Sequence, residues 1–230
     1  MLYEALSEAE EIRSALEGHP AVQRISIAGS LRRCKETVKD CDLVVATERP
    51  EEVMAAFVGL PQVESVIAHG TTKSSVRLEN GLQIDLRCVE PFQFPYVLHH
   101  FTGSKEHNVA MRQRALRLGL KMNEYGLFRV GKGEEEVLIE CADETELFSA
   151  LGLDFIPPEL REDRGEVTAA EEHRLPALVE PGDLHGAFHV HTVWSDGANT
   201  LEEMALAARD LGWDYLGIAD HSKSSYWANG

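Results

Sequence analysis

A chain of 230 residues has room for one large domain or two small ones, and 43% hydrophobic with 27% charged residues is ordinary for a globular protein. The formal net charge of −17 argues against nucleic-acid binding over the whole surface, because phosphate backbones are held by positive charge. No apolar run approaches the ~20 residues of a membrane span, no secretory signal opens the chain, and Cys34, Cys41, Cys88 and Cys141 form no CxxC pair, so reduced thiols in a cytoplasm are expected.

In chain order, residues 2–17 place Leu2, Ala5, Leu6, Ile12 and Leu16 at roughly helical spacing, stopped by Gly18-His19-Pro20. Val22 to Ala28 alternates like a strand with Ile25 and Ile27 on one face, and Gly29-Ser30 interrupts it. Leu43-Val44-Val45-Ala46 reads as a buried strand, Pro50-Glu51-Glu52 opens a helix, and Val63 to Ala68 reads as another strand. Ser75–Glu79 and Leu82–Val89 flank Asn80-Gly81, a strong hairpin signal. Residues 22–89 therefore predict a small α+β domain with a mixed sheet. From Phe94 the pattern changes: a helix over 104–118 with Ser104 as N-cap and Gly119 as its stop, then two or three short strands over 120–140 around Gly126 and Gly131-Lys132-Gly133, then a helix over 143–151. The stretch 157–186, rich in Pro, Glu and Gly, reads as a linker, and 187–220 repeats a βαβ rhythm.

Charge is unevenly spread. Residues 134–172 hold Glu134, Glu135, Glu136, Asp143, Glu144, Glu162, Asp163 and Glu166, whereas 99–121 sets Lys105, Arg112, Arg114, Arg117 and Lys121 against Glu106. The basic face is local.

Asp40 and Asp42 lie one residue apart at the start of a strand, so both side chains share a face. Two carboxylates so close repel unless a cation sits between them, and Mg2+ or Mn2+ prefers such hard oxygen ligands. Asp85, between Ile84 and Leu86, is a costly strand charge without a partner. If the strands are neighbours, the three carboxylates can hold two metals ~3.5–4 Å apart. Ten residues before Asp40 stands Ser30, in Ala28-Gly29-Ser30-Leu31-Arg32-Arg33, where a glycine turn aims backbone amides at an anion and Ser30 and Arg33 can bind phosphate oxygens.

A GS turn, a DxD and a later strand Asp resemble the nucleotidyltransferase superfamily. The segment Phe101-Thr102-Gly103-Ser104-Lys105 with Asn108 and Arg112, followed by Gly119-Leu120-Lys121-Met122-Asn123-Glu124-Tyr125-Gly126, narrows the resemblance to the thumb of family X DNA polymerases, over about 25–128. The resemblance implies a palm and a small α/β thumb acting on a gapped or primer–template duplex with a dNTP. Asp40, Asp42 and Asp85 match the catalytic metal ligands, and Gly29, Ser30 and Arg33 the triphosphate turn. Phe101 and Gly103 match the sugar contact, Asn108 a minor-groove contact to the incoming base, and Arg112, with Lys105 on the same helix, a template-side contact. His100 stands where the family often has Tyr, so sugar discrimination is not carried over.

A second constellation follows. His189-Val190-His191 precedes Ser195-Asp196-Gly197, and Asp220-His221-Ser222 follows the next strand. An HxH on a strand is a chelating pair for Zn2+, Mn2+ or Fe2+. The pattern resembles the start of a polymerase-and-histidinol-phosphatase (PHP) domain, a distorted (β/α)7 barrel with a metal site linked to 3′-5′ exonuclease activity; His189, His191, Asp196 and His221 match its first ligand positions. Ala187-Phe188 replaces the Asp-Leu usual before this pair, and His173 and His185 match no ligand.

The expected organisation is a palm at 1–90, a thumb at 91–160, a linker at 161–185 and an incomplete PHP module at 186–230. A closed (β/α)8 barrel needs roughly 250 residues, and the family's helical fingers have no room before Ile25, so a fragment without exonuclease activity is expected. The function expected is a DNA-repair, gap-filling DNA polymerase working by two-metal nucleotidyl transfer, with no membrane and no obligate protein partner. The alternatives are a nucleotidyltransferase for a small hydroxyl substrate, against which the basic helix argues, and a DNA-binding remnant without turnover.

Overall fold

The computed structural model describes residues 2–131 and 135–229 and divides the chain into two units, Met1–Leu175 and Pro176–Gly230. Lys132 and Gly133 of the expected glycine turn, and Glu134 of the acidic run, lie outside the described residues. Among those described, no helix is long and apolar enough to cross a membrane.

In the first unit, α1 (Leu2–Glu17) buries Ala5, Ala9, Ile12 and Leu16, the three- and four-residue steps that bring side chains to one helix face. β1 (Arg24–Ile27) leads through the single turn α2 (Gly29–Arg32) into β2 (Asp40–Ala46); α3 (Pro50–Val58), with proline in its first turn, precedes β3 (Val63–His69). The hairpin β4 (Lys73–Leu78) and β5 (Gln83–Val89) closes at Gly81, whose φ of 85° suits glycine, with the Leu82 amide donating to Asn80 Oδ1 at 3.0 Å. The strands form one mixed sheet in the order β1-β2-β5-β4-β3; β2 and β5 are parallel and the other pairs antiparallel.

The two-residue period of the strands sorts their side chains. Cys41, Leu43 and Val45 of β2, with Val76, Leu78, Ile84, Leu86 and Cys88, pack against α1 and α3. On the opposite face Val44 and Ala46 are covered by Phe94, Val97 and Leu98 of α4 (Phe94–Thr102). What that helix leaves uncovered is polar: Asp40, Asp42, Gln83, Asp85, Arg87, Ser75 and Lys73 alternate with the core residues in the strand register. α4 itself was not expected as a helix. It is nine residues long and mostly apolar, and so short an apolar run does not tell helix from strand.

α5 (Lys105–Arg117) starts as expected, with Ser104 Oγ accepting the His107 amide at 3.0 Å, and Gly119 beyond its end has a φ of 71°. β6 (Leu120–Asn123), β7 (Gly126–Val130) and β8 (Glu136–Leu138) form an antiparallel sheet, and α6 (Glu144–Ala150) is capped by Asp143. Tyr96, Met111, Leu127, Phe148, Leu151 and Ile156 make a second core among these elements.

The expected linker, 161–185, needs correction. Residues 161–175 belong to the first unit: Arg161 is fully buried, and α7 (Glu166–Glu171) buries Glu166 and Ala170. The acids there pair with bases on other elements (Glu162 with Arg33, Glu166 with His107, Glu171 with Arg114). Periodicity in apolar residues is blind to burial achieved by pairing charge, so the segment read as solvated.

In the second unit, β9 (Gly186–Val190) and β10 (Tyr215–Ile218) pair in parallel, with a register irregularity between Leu216 and Ile218. α8 (Leu201–Asp210) joins them and starts on a capping box, Thr200 with Glu203. The βαβ order is the one expected.

Candidate active site

The register of β2 against β5 sets Asp42 beside Asp85 and Asp40 beside Gln83. All three carboxylates therefore stand on the polar sheet face. Asp85 is held at both oxygens: Oδ1 accepts from Gln83 Nε2 at 2.8 Å, and Oδ2 is 3.0 Å from Lys73 Nζ. Burial raises the Asp85 pKa, but hydrogen bonds from Gln83, Lys73 and Ser75 outweigh it and leave the carboxyl below its ordinary range. Asp42 goes the other way. Burial, then the charges of Asp40 and Asp85, push it up to about 6, against the partial relief of Arg87 and Lys73. Neighbouring carboxylates in dissimilar surroundings mark a functional site more often than a structural one.

The glycine turn bears directly on this face. Gly29 has a φ of 66°, and a Cβ there would fall on the Asp42 carboxylate; the Ala28 amide also donates to the Asp42 carbonyl at 2.8 Å. Ser30, half-buried, follows in α2. Arg33 is engaged: Nε donates to Glu162 Oε1 and Nη1 to the Thr102 carbonyl, each at 2.8 Å, while Lys35 lies 3.2 Å from the same Glu162 oxygen. Arg32 donates to Thr102 Oγ1 at 2.8 Å and to Glu144 at 2.6 Å, and Glu144 also meets the buried Arg161. Glu144 and Glu162 escaped the sequence reading, as did Lys73 and Arg87. Arg87, two residues past Asp85, and Lys73, its register partner, share the polar face and were legible from strand alternation.

Phe101 is half-buried with the Arg87 guanidinium 4.2 Å from its ring centroid. Gly103 ends α4 where a Cβ would press on Asn108 Oδ1 at 2.9 Å and on His107. Asn108, expected to contact the incoming base, is buried: its Nδ2 donates to the His100 carbonyl at 2.7 Å and the Gly103 carbonyl at 3.3 Å, and Oδ1 has no partner. Lys105 is exposed and Arg112 half-buried. Arg114 leaves the expected basic face altogether, buried with Nε on the Leu151 carbonyl at 2.6 Å and a contact to Glu171 at 2.9 Å.

In the second unit His191, Asp196 and His221 bring three donor atoms within 4.8 Å of one another, a grouping found nowhere else among the described residues, the sheet carboxylates included. His191 Nδ1 is 2.8 Å from Asp196 Oδ1, and His221 Nε2 is 3.6 Å from Oδ2. His189 falls short of the expected set: it is exposed, sits at a φ of 62° and stacks on the His191 ring at 5.0 Å without joining the donor group. Asp220, not anticipated as a site residue, accepts from the Thr192 amide, Thr192 Oγ1 and Ser195 Oγ, each at 2.7 Å, and so holds the loop that carries Asp196.

The family model described as the DNA polymerase beta thumb matches residues 97–162. The Bacillus subtilis DNA polymerase/3′-5′ exonuclease PolX is 44% identical over 98% of this chain, and the chain spans 39% of that relative's length. The repair DNA polymerase X of African swine fever virus is 30% identical over 60% of this chain and 82% of its own. Among solved structures, Leishmania infantum polymerase beta in a ternary P/T complex superposes with a TM-score of 0.59 and 26% identity, over 70% of this chain and 76% of that one.

Proposed function

Because this chain belongs to the family X DNA polymerases, we propose that residues 1–175 perform DNA-repair synthesis, transferring a deoxynucleotide to the 3′-hydroxyl of a gapped or primer–template duplex. The observation that carries the reading is the polar sheet face on which Asp42 and Asp85 are register neighbours and Gly29 closes against Asp42. The same site could serve a small hydroxyl substrate; the exposed Lys105 and half-buried Arg112 beside it favour a duplex.

Three carboxylates on one face fit a pair of divalent cations such as Mg2+ or Mn2+, since the repulsion that raises Asp42 is what a cation relieves. Held by Asp40, Asp42 and Asp85, such ions supply neutralisation of the triphosphate and activation of the attacking oxygen. The side chains do the positioning. Ser30 and Arg33 take phosphate oxygens, Phe101 and Gly103 face the sugar, and Asn108 donates its Nδ2 to the minor-groove acceptors of the incoming base, exchanging the His100 and Gly103 carbonyls for them. Lys105 and Arg112 hold the template side. Asp85, held in place by Gln83 and Lys73, is on this reading the cation ligand on the primer-hydroxyl side. No part of this needs a strong side-chain base; fixed electrostatics carry the transition-state charge.

On this reading 1–90 is the palm and the thumb runs from 91 to 175. Residues 186–230 are the opening βα units of a PHP-type phosphoesterase barrel whose His191, Asp196 and His221 bind Zn2+, Mn2+ or Fe2+. The 3′-5′ exonuclease in the name of the Bacillus subtilis relative supports that assignment. Four free cysteines suit work in the cytoplasm, with DNA and dNTP as partners.

Primer extension on a gapped duplex with Mg2+ or Mn2+ tests the proposal. Extension abolished by Asp85→Ala is expected; transfer to small hydroxyl compounds alone, or duplex binding without transfer, would sink it.

A further inference from the structure

Arg33 is held in advance of any phosphate. Its side chain and that of Glu162 are 13% and 18% exposed, so the ion pair is shielded from solvent. A guanidinium has five N–H groups. The bonds to Glu162 and the Thr102 carbonyl engage one on Nε and one on Nη1, leaving Nη2 open.

Glu162 cannot follow Arg33 about, because residues on both sides of it are anchored. Before it, the Arg161 carbonyl accepts the Ser104 amide at 3.0 Å and the buried Arg161 side chain meets Glu144. After it, Glu166 accepts the amides of Asp163 at 2.9 Å and Arg164 at 2.7 Å and pairs with His107 at 2.7 Å. Lys35 at 3.2 Å offsets the Glu162 charge, so the three groups together keep a net positive charge for an anion.

We infer that Glu162 is a positioning residue for triphosphate recognition: the strap 161–166 fixes Arg33 through Glu162 and couples it, through the Thr102 carbonyl, to the turn at Gly103. This rests on the polymerase reading above. A guanidinium held in its bound orientation loses less freedom when phosphate arrives than one ordered only then. The strap is thus part of the nucleotide site, although it touches no nucleotide.

The test uses the intact chain on a gapped duplex with a dideoxy-terminated primer, titrated with the complementary dNTP and Mg2+. Arg33→Ala should weaken dNTP binding most, and Glu162→Ala should weaken it about tenfold, the size expected for one charge-assisted hydrogen bond. Glu162→Gln, whose amide oxygen still accepts from Nε, should stay within about threefold. The Arg33→Ala/Glu162→Ala double variant should bind no worse than Arg33→Ala, because the residues act in series. In primer extension Glu162→Ala should raise the dNTP KM and leave kcat within about twofold, the pattern of lost binding common to ground and transition states. Binding of dNTP by Glu162→Ala at wild-type strength or tighter overturns the inference. So does an equal loss for the deoxynucleoside monophosphate, which would report a general disturbance. If Arg33→Ala binds dNTP normally, the placement of the triphosphate fails and takes this inference with it.

Discussion

The two acid-bearing centres are built on opposite plans. On the sheet face the charged groups are three carboxylates on two adjacent strands, backed by the fully buried residues Cys41, Leu43, Ile84 and Leu86. Their positions are set by a hydrophobic core, and their like charges keep them apart. In the second unit the donor groups are two imidazoles and one carboxylate on loops around a two-stranded ribbon. There, opposite character draws the groups together: Asp196 accepts from His191 and lies beside His221. A site of like charges needs a rigid frame to exist at all, whereas a mixed site can assemble from local contacts.

The sharpest way to break this contrast is to exchange the roles. Asp42→Ala should lower primer extension by at least about a thousandfold, the order expected when a metal ligand at the reacting phosphate is lost. Its melting temperature should not fall, since a raised pKa marks a charge the fold tolerates poorly. His191→Ala should leave extension within about twofold; a comparable loss from both would refute the division of labour.

The frame itself can be attacked without touching the sheet face. Glu144 answers both Arg32 and the fully buried Arg161, so Glu144→Ala strands a buried guanidinium and should cost about 3 kcal/mol in denaturant unfolding. An unchanged midpoint would mean that Arg161 finds another acceptor.

The pH dependence should carry the same signature. Asp42 in the fold holds its proton up to about 6, while an unfolded Asp releases it near 4. Between these values the native state binds more protons, so without added metal, stability should fall as pH rises through that window, by about 2 kcal/mol. Thermal unfolding in EDTA would register this, and Asp42→Asn should flatten it. His99 acts in the opposite sense. Burial first, then the nearby Arg161 and His107, hold its pKa well below the ordinary value, so it resists protonation and stability should fall as pH drops below about 6.5.

The smallest effect belongs to the second unit. Asp220 ties the Thr192–Ser195 loop that carries Asp196, so Asp220→Asn should weaken Zn2+ or Mn2+ binding by about tenfold, as loss of a group behind a metal ligand commonly does. Metal titration followed by calorimetry reads this, and no change would show that the His191–Asp196 contact alone orients the ligand.

Much of this was legible before any coordinates. The hairpin at Asn80-Gly81, the cap at Ser104, the stop at Gly119 and the alternation putting Asp40 and Asp42 on one face follow from local stereochemistry, which a short window of sequence contains, whereas Asp85 joins them only through the parallel register of β2 with β5. α4 and α7 were missed for different reasons. The first is a short, mostly apolar run that reads equally as strand; the second is acidic and is held by partners far away in sequence. Arg114 was counted on a basic face because a helix pattern says which residues share a side, not which side is covered.

The chemistry of the site was therefore written in the sequence: glycine where φ is positive, carboxylates where strand alternation aligns them, imidazoles where a strand ends. What only the tertiary structure decided is who holds these groups. Glu166 on His107, Glu162 on Arg33 and Asp220 behind Asp196 are contacts between segments that chain order leaves unconnected. Local geometry is encoded within a few residues, whereas the partner of a charge depends on which distant surface the packing of the cores brings beside it.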